Sequence, residues 1–300
     1  MSNLVSIVIP THRPSHFRNA LACALAQTYS EIEIIVSDNS DTDEIREMCQ
    51  STDKPIIYRK NIDGLMKSNI AQPLSLTSGK YIKYLFDDDL IYPHCIDTML
   101  GWLAKLDPVQ QSQVGIITSS RHVINGDSLC NDEIKLNDIK LPSIINGSEA
   151  AKFILSNLDN FIGEFSTILF RSEFIDKNNP ETIFRMWGED FIFGLIDVPL
   201  YLSIFQTSNL LYIPYSLSAF RRHEGSGSDI NKNANFHWAV SDWMRISIAA
   251  FSDGYLTFDE LQIIAKKFVT TFTAYVSYFR EELNPWLDLA HRIVSGDVDI

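Results

Sequence analysis

Three adjacent carboxylates, Asp87-Asp88-Asp89, are the most unusual local feature of the sequence. They follow the apolar stretch 81–86, which is typical of a buried strand, and they precede Pro93, which predicts the start of a helix. Carboxylate oxygens are preferred ligands of Mg²⁺ and Mn²⁺, and such sites leave room for water and a substrate diphosphate. The triplet therefore indicates a hard-cation site, with a solvated turn or a helix cap as the alternative.

A second acidic group, Asp38 with Asp41, follows the β-branched stretch 31–37. A short acid at the end of a strand can accept a hydrogen bond from a ring N–H or from a ribose hydroxyl. An Asx turn that caps the next helix is the alternative.

A third acidic group is Glu189-Asp190, which lies between Trp187-Gly188 and the apolar run 191–193. An acid beside apolar residues can have a raised pKa, which suits a general base. The alternative is the N-terminus of an ordinary helix, where acids are favoured.

Positive charge is concentrated at Arg221-Arg222-His223, after the extended stretch 210–220. These residues can hold a phosphate, or they can simply face solvent at the end of a strand.

The elements that must position these groups alternate between strand and helix over the first 120 residues. Strands are predicted at 4–9, 31–37, 56–58, 81–86 and 114–119, and helices at 14–25, 41–50, 65–77 and from Pro93. This alternation predicts an α/β fold with a doubly wound, mainly parallel sheet, whose ligands bind at the carboxyl ends of the strands. Further on, we expect a strand at 165–170 and, from about 235, long helices separated by a turn at 251–256.

Composition excludes several classes of protein. The 300 residues are 45% hydrophobic and 21% charged, which favours a large folded core over disorder. The formal charge of −13 disfavours binding to nucleic acid. The four cysteines lack metal-knuckle or redox spacing, which indicates reduced thiols. The apolar stretches 1–10 and 191–205 are too short for a signal peptide or a membrane span, so we expect a cytoplasmic protein.

The order of these motifs resembles the GT-A glycosyltransferases of family 2, over about residues 3 to 225. The motifs are Val5-Ser-Ile-Val-Ile-Pro-Thr-His-Arg13, Ser37-Asp-Asn-Ser40, Asn61-Ile-Asp-Gly64 with Lys67-Ser-Asn69, Ser78-Gly-Lys-Tyr-Ile-Lys-Tyr-Leu-Phe-Asp-Asp-Asp89 and Trp187-Gly-Glu-Asp190. The resemblance implies a GT-A domain at 1–230, with a nucleotide-binding half at 1–120 and an acceptor half at 121–230. Residues 231–300 would form a C-terminal helical region.

The resemblance also implies an activity. Family members move a sugar from a nucleotide diphosphate donor to an acceptor hydroxyl, with inversion at the anomeric carbon and with Mn²⁺ or Mg²⁺. A UDP-sugar donor, an acceptor that is a growing glycan or is linked to lipid, and a role in bacterial surface polysaccharide synthesis follow by analogy.

By position in the motifs, the resemblance assigns four residues to the nucleotide pocket. Thr11 and Arg13 match positions that line it, Asp38 matches the acid that pairs with the uracil ring, and Lys67 lies where the family has an Arg near the diphosphate. The replacement of that Arg by lysine weakens bidentate phosphate contact.

The resemblance assigns the metal ligands and the general base by position in the same way. When Pro93 is aligned with the family's proline, Asp88 matches the metal ligand, and Asp87 and Asp89 face ribose, donor sugar or metal-bound water. Phe86 stands where many members have the first acid of Asp-x-Asp, so Asp89 is a further candidate ligand. Asp190 falls on the general base and Glu189 on its acidic partner. The family has a histidine near the diphosphate or metal, and His223 resembles it.

Two alternative functions are compatible with parts of the sequence. A sugar nucleotidyltransferase also needs a metal and a Rossmann-like sheet, but the sequence lacks a Gly-rich phosphate loop after the first strand. A catalytically inactive scaffold that binds nucleotide sugars is the other, and the intact Asp38, Asp88 and Asp190 argue against it.

The C-terminal region carries aromatic stripes at helical spacing. Their residues are Trp238, Trp243, Met244, Ile246, Ile248, Phe268, Phe272, Tyr275 and Phe279. Such stripes predict a core or a homo-oligomer interface. Peripheral attachment to the inner face of the cell membrane is the alternative, and the weakly basic final segment disfavours it.

Overall fold

The computed structural model describes residues 3–222 and 233–297. Within these residues the chain forms two compact units. The sheet unit comprises 3–147, 162–183 and 207–222, and the helical unit comprises 148–161, 184–206 and 233–297. The predicted boundary between residues 230 and 231 falls outside the described residues, and the division into a GT-A domain and a C-terminal region stays a prediction.

Strands in the described residues fall mainly in the sheet unit. In chain order they are β1 (Val5–Thr11), β2 (Ile32–Asp38), β3 (Ile56–Lys60), β4 (Tyr81–Tyr84), β5 (Leu90–Ile91), β6 (Val114–Ile124), β7 (Cys130–Ile134), β8 (Ser143–Ile145), β9 (Leu169–Arg171), β10 (Arg185–Met186), β11 (Glu189–Asp190) and β12 (Asn209–Arg221). All but β10 and β11 join one sheet, with the order β3-β2-β1-β4-β9-β6-β12-β5. β7 pairs with β6, and β8 pairs with β12.

The predicted mainly parallel sheet is confirmed. β3, β2, β1 and β4 are parallel neighbours, and β12 is parallel to β6. All seven residues of β1 are buried, as a strand covered on both faces requires. β9 runs antiparallel between β4 and β6.

Five helices follow the strands of the sheet unit. They are α1 (Pro14–Leu25), α2 (Glu44–Gln50), α3 (Met66–Ala71), α4 (Cys95–Ala104) and α5 (Pro108–Gln113). The buried face of α1, with Phe17, Leu21 and Ala24, packs into the same core as Ile7 of β1 and Met99 of α4. The helices thereby cover the apolar strands of the sheet unit.

Two predicted elements differ in the structure. The helix expected at 65–77 ends at Ala71 and continues as a 3-10 helix, Gln72–Leu76, because Pro73 has no N–H for an α-helical hydrogen bond. The strand expected at 165–170 is a 3-10 turn, Phe165–Thr167, followed by the three residues of β9.

The turn before β4 is held by one carboxylate. Glu33 Oε1 accepts hydrogen bonds from the backbone N–H groups of Ser78 and Gly79, at 2.6 and 3.1 Å, and Glu33 Oε2 accepts one from Ser78 Oγ at 2.6 Å. Gly79 also donates to Ser6 Oγ at 2.9 Å. A Cβ on Gly79 would lie 2.6 Å from Ser6 N and 2.9 Å from Leu4 O, so only glycine fits this position.

We expect Gly79→Ala to lower the free energy of unfolding by about 1–3 kcal/mol, because the new methyl group meets backbone atoms that cannot move aside. Urea denaturation measures the change. Gly101→Ala is the matched control, since Gly101 lies inside α4 and a Cβ there meets no atom within 4 Å. The free energy of unfolding of that control is expected to rise by about 0.5–1 kcal/mol, because alanine has a higher helix propensity than glycine. Equal effects of the two substitutions would contradict the steric argument.

The helical unit contains the hairpin of β10 and β11 and five helices. These are α6 (Gly147–Asn157), whose first residue lies in the sheet unit, α7 (Val198–Phe205), α8 (Phe236–Ser252), α9 (Phe258–Phe272) and α10 (Arg280–Ser295). Thr257 caps α9 in a capping box with Glu260, which confirms a turn between α8 and α9 close to the predicted 251–256. Among the described residues, no helix is both long and apolar enough to cross a bilayer.

Much of the aromatic stripe is core. Trp243, Met244 and Phe268 are buried, and the rings of Phe268 and Phe272 lie 5.1 Å apart. Trp238 is exposed at 39%. The stripe thus stabilises the helical unit itself, while oligomerisation and membrane contact stay predictions.

Candidate active site

The carboxyl ends of β1, β2 and β4 meet at one edge of the sheet. Thr11, the last residue of β1, is paired with Asp38, the last residue of β2. Because β2 and β4 flank β1 on opposite sides, the strand order reverses at β1. In doubly wound sheets this reversal opens the crevice in which ligands bind.

Asp87 holds the loop after β1. Its Oδ2 accepts hydrogen bonds from Thr11 Oγ1 at 3.0 Å and from the backbone N–H groups of His12 and Arg13 at 3.1 and 3.2 Å. Its Oδ1 accepts one from the Arg13 guanidinium at 2.7 Å. The Asp87 side chain is only 4% exposed, so a ribose or sugar hydroxyl reaches it only by displacing one of these donors.

Asp88 is the accessible acid of the triplet. Its side chain is 23% exposed, and its Oδ2 accepts a hydrogen bond from the Arg13 guanidinium at 2.9 Å. Burial alone would lower the pKa of Arg13, but hydrogen bonds and attraction to Asp87 and Asp88 outweigh it and raise the pKa. Arg13 therefore stays charged, and its guanidinium lies between the carboxyl groups of Asp87 and Asp88.

Asp89 is buried on the inner side of the triplet. It is 4% exposed, and its Oδ1 accepts a hydrogen bond from the backbone N–H of Arg221 at 3.1 Å. Burial raises the pKa of Asp89 well above its ordinary value, and the charges of Asp88 and Glu164 act in the same direction. Burial thus distinguishes Asp89 from Asp88.

The sequence predicts that Arg221 belongs to a phosphate site or to a solvent-facing cluster. In the structure it is 4% exposed, and its guanidinium donates to the backbone carbonyls of Asp88 and Asn125, both at 2.8 Å. The guanidinium group of Arg221 therefore faces the protein interior and fixes the backbone of the acidic triplet. The basic run at the end of β12 was the available signal. His223 lies outside the described residues, and its role stays a prediction.

Asp38 is completely buried and fully engaged. Its Oδ1 accepts from the backbone N–H of Ser40 at 2.7 Å, and its Oδ2 accepts from Tyr58 Oη at 2.7 Å and Lys60 Nζ at 3.1 Å. Burial acts to raise the pKa of Asp38, but these hydrogen bonds outweigh it and the pKa lies below its ordinary value. Burial and the bond to Asp38 raise the pKa of Tyr58 to about 12. A ring N–H reaches Asp38 only after Tyr58 or Lys60 moves.

Lys67 lies on α3, and its ammonium forms an ion pair with Glu181 at 3.3 Å. Asn69 of the same motif contacts the end of β1, since its Nδ2 donates to the Thr11 carbonyl at 3.2 Å. The structure therefore brings together Thr11, Arg13, Asp87 and Asp88, while Lys67 is engaged with another acid.

Glu189 and Asp190 belong to the helical unit and form β11, which pairs antiparallel with β10. The alternative interpretation as a helix N-terminus is therefore wrong. Asp190 is 48% exposed, and Arg185 donates to its two oxygens from Nε at 3.0 Å and from Nη2 at 3.3 Å. Glu189 accepts from Arg245 at 2.9 Å. Both acids are accessible and are oriented by a guanidinium group.

The acids at these positions offer few ligands to a metal ion. Within residues 3–222 and 233–297, no three His, Cys, Asp or Glu side chains are arranged to hold a metal ion. Mg²⁺ and related ions are commonly bound by only one or two carboxylates together with substrate phosphates and water. The single accessible carboxylate of Asp88 fits that mode of binding.

The sequence pattern described as glycosyl transferase family 2 matches residues 6–172, which is more than half of the chain. That segment contains all of β1 except Val5, β2 to β9, Asp38 and the acidic triplet. This chain belongs to glycosyl transferase family 2.

Curated relatives are glycosyltransferases too. An uncharacterized glycosyltransferase of Rickettsia prowazekii is 37% identical over 107 residues, 35% of this chain and 34% of the relative. The match therefore spans about a third of that protein. Glycosyltransferase GlyG of Streptococcus pneumoniae is 23% identical over 46% of this chain and 50% of its own length. The uncharacterized glycosyltransferase YibD of Escherichia coli is 21% identical over 78% of this chain and 67% of its own length.

The fold is also found in solved structures. TarS 1-349 of S. aureus, crystallised in complex with UDP-GlcNAc, matches with a TM-score of 0.63 at 13% identity, over 97% of this chain and 81% of that chain. A second crystal of the same segment contains UDP and matches with a TM-score of 0.59. The chain has the GT-A fold.

Proposed function

We propose that this protein is an inverting glycosyltransferase that moves a sugar from a UDP-sugar to a hydroxyl group of a growing glycan. The observation that carries the proposal is the accessible carboxylate of Asp88, held beside Arg13 where β1 and β4 end. Support comes from the family and from the uridine nucleotides bound by TarS.

Donor binding begins with the charges at that edge. A diphosphate is repelled by the triplet unless positive charge offsets it. Arg13 supplies one such charge, because its guanidinium contacts both Asp87 and Asp88. Asp88 would hold Mn²⁺ or Mg²⁺, and the chemistry supplied when the ion is bound is stabilisation of the negative charge that develops on the leaving diphosphate.

The acceptor hydroxyl needs a base, because an alcohol is a poor nucleophile at neutral pH. We assign that role to Asp190. Its carboxylate takes the hydroxyl proton while the acceptor oxygen bonds to the anomeric carbon, and the bond from that carbon to the diphosphate oxygen breaks with its electron pair. A single displacement of this kind inverts the anomeric centre. Glu189 is assigned as the acidic partner of Asp190.

The setting is proposed by analogy with the family: synthesis of a bacterial surface polysaccharide at the cytoplasmic side of the membrane, with a lipid-linked glycan as one form of the acceptor.

A thermal-shift panel of nucleotide diphosphate sugars tests the proposal. We expect one UDP-sugar with Mn²⁺ to raise the melting temperature, since a ligand at a hundredfold excess over Kd stabilises the native state by about 2.7 kcal/mol. The same sugar with a chelator is the control and should stabilise much less. No shift with any donor would contradict the proposal.

A donor-hydrolysis assay then separates the remaining functions. Metal-dependent release of UDP excludes an inactive scaffold. Formation of UTP from the UDP-sugar and pyrophosphate would instead identify a nucleotidyltransferase.

A further inference from the structure

A pocket of about 280 Å³ lies in the helical unit, beside the hairpin that carries Glu189 and Asp190. Trp187 and Glu189 line it from the hairpin, Arg245 and Ile248 line it from α8, and Trp286 lines it from α10. Ligand pockets of proteins commonly measure about 300–1,000 Å³, so this pocket suits a monosaccharide better than a nucleotide.

Trp187 occupies a backbone position that disfavours it. Met186 pairs with Glu189, so Trp187 and Gly188 form a two-residue hairpin loop, with φ angles of 48° and 82°. Such loops favour asparagine or aspartate before glycine, and a bulky residue at positive φ costs about 1–3 kcal/mol. The chain therefore holds an indole at this pocket against the preference of the turn.

The indole is also fixed in orientation. The rings of Trp187 and Tyr255 lie 5.2 Å apart at an interplanar angle of 37°. Trp187 remains partly exposed, as does Trp286, so both indoles present surface to the pocket. Flat aromatic surfaces of this kind pack against the apolar C–H face of a sugar ring.

A carboxylate in the pocket is held in place by Arg245. The guanidinium contacts Glu189 at 2.9 Å, Asp242 at 2.7 Å and the Asp190 carbonyl at 3.1 Å. Glu189 is nevertheless 51% exposed, so its oxygens can accept hydrogen bonds from the hydroxyl groups of a ligand. Carboxylates outnumber guanidinium groups around the hairpin, which disfavours an anionic ligand.

We propose that this pocket binds a neutral sugar unit of the acceptor glycan, and that α8 and α10 thereby contribute to acceptor selection. Trp187 and Trp286 pack against the sugar ring, and Glu189 accepts its hydroxyl groups. This inference rests on the proposed function, because that function places an acceptor hydroxyl next to Asp190.

The experiment uses the full chain with its five tryptophans replaced by 5-fluorotryptophan. Fluorine NMR spectra are recorded during titration with methyl glycosides of glucose, galactose, mannose, rhamnose and N-acetylglucosamine, and with methyl glucuronide as the anionic comparison. We expect a neutral glycoside to shift the Trp187 and Trp286 resonances in a saturable manner. The Trp102 resonance, from the sheet unit, should not move.

Two variants separate binding from structure. Trp187→Asn creates the residue pair that the loop prefers, so its melting temperature is expected to stay the same or rise. Its Kd for the glycoside is expected to rise about tenfold, since an aromatic platform is lost. Trp238→Phe, a change on the exposed side of α8, is the matched control and should keep the original Kd.

The pocket assignment is overturned if no glycoside shifts these resonances, if Trp187→Asn binds as tightly as the unchanged protein, or if Trp238→Phe weakens binding equally. Release of UDP from a UDP-sugar by the unchanged protein is measured separately. Release without any glycoside response overturns only the pocket. Glycoside binding without release overturns the glycosyltransferase, and with it the assignment of the bound sugar to an acceptor glycan, while the sugar pocket itself stands.

Discussion

Asp190→Asn is expected to slow glycosyl transfer by about 10²-fold to 10⁴-fold, the range that general base catalysis contributes. An amide cannot take the proton of the acceptor hydroxyl. Donor binding should be unchanged, because Arg13 and Asp88, the residues proposed to receive the diphosphate and its metal, lie after β1 and β4 in the sheet unit. Release of UDP, with and without a glycoside acceptor, measures transfer, and isothermal titration measures donor affinity.

The fold should tolerate this change. Asp190 is 48% exposed and accepts from Arg185 Nε at 3.0 Å, a hydrogen bond that the asparagine Oδ1 can still accept. Because Arg185 engages both oxygens of Asp190, the acceptor hydroxyl must use a remaining lone pair or displace one N–H. Arg185 is thus expected to set the direction from which the hydroxyl approaches.

Asp253→Asn is the matched control, since Asp253 is an exposed acid of the same unit at the end of α8. It should transfer sugar at the original rate. If Asp190→Asn also keeps that rate, the base is another residue. Glu189 is then the next candidate for the base, and the same assay on Glu189→Gln tests it.

The parallel part of the sheet could be predicted because its signals are local. β1, β2 and β4 are short apolar runs that are each followed by turn or helix residues, and burial on both faces makes such runs conspicuous. β9 has three residues and β7 is largely exposed, so neither carries a clear period. Pairing with β4 and β6 decides their structure, and sequence order does not encode that pairing.

The positions of the acids were predictable and their individual roles were not. Asp87, Asp88 and Asp89 are chemically identical in sequence, yet in the structure only Asp88 is accessible. The difference arises from Arg13 and Arg221, which contact the triplet from distant parts of the chain. Asp38 shows the same limit, because Tyr58 and Lys60 engage it from the neighbouring strand.

Asp88→Ala is expected to abolish the part of donor binding that depends on metal. The loss should be about 100-fold or more in Kd, because charge stabilisation by a bound divalent ion is worth several kcal/mol. The fold should persist, since Arg13 keeps its 2.7 Å contact with Asp87. Isothermal titration of the UDP-sugar, with Mn²⁺ and with a chelator, measures the metal-dependent and the metal-independent part of donor affinity.

The matched control is Asp97→Ala, an exposed acid on α4 of the same unit. It should bind the donor as the unchanged protein does. Normal metal-dependent binding by Asp88→Ala would remove Asp88 from the metal site and leave Asp89 and His223 as the candidate ligands.

The direction in which donor affinity changes when no metal is present decides between two roles of Asp88. If Asp88 serves only to hold Arg13, its removal takes one negative charge away from the guanidinium, which still contacts Asp87. Donor binding without metal then becomes tighter, while the effect of Mn²⁺ stays the same. If Asp88 is the metal ligand, binding with Mn²⁺ falls to the metal-free value of the unchanged protein or close to it. One role changes donor affinity in the titration without metal, and the other changes it in the titration with Mn²⁺. A single variant, Asp88→Ala, therefore separates the two roles.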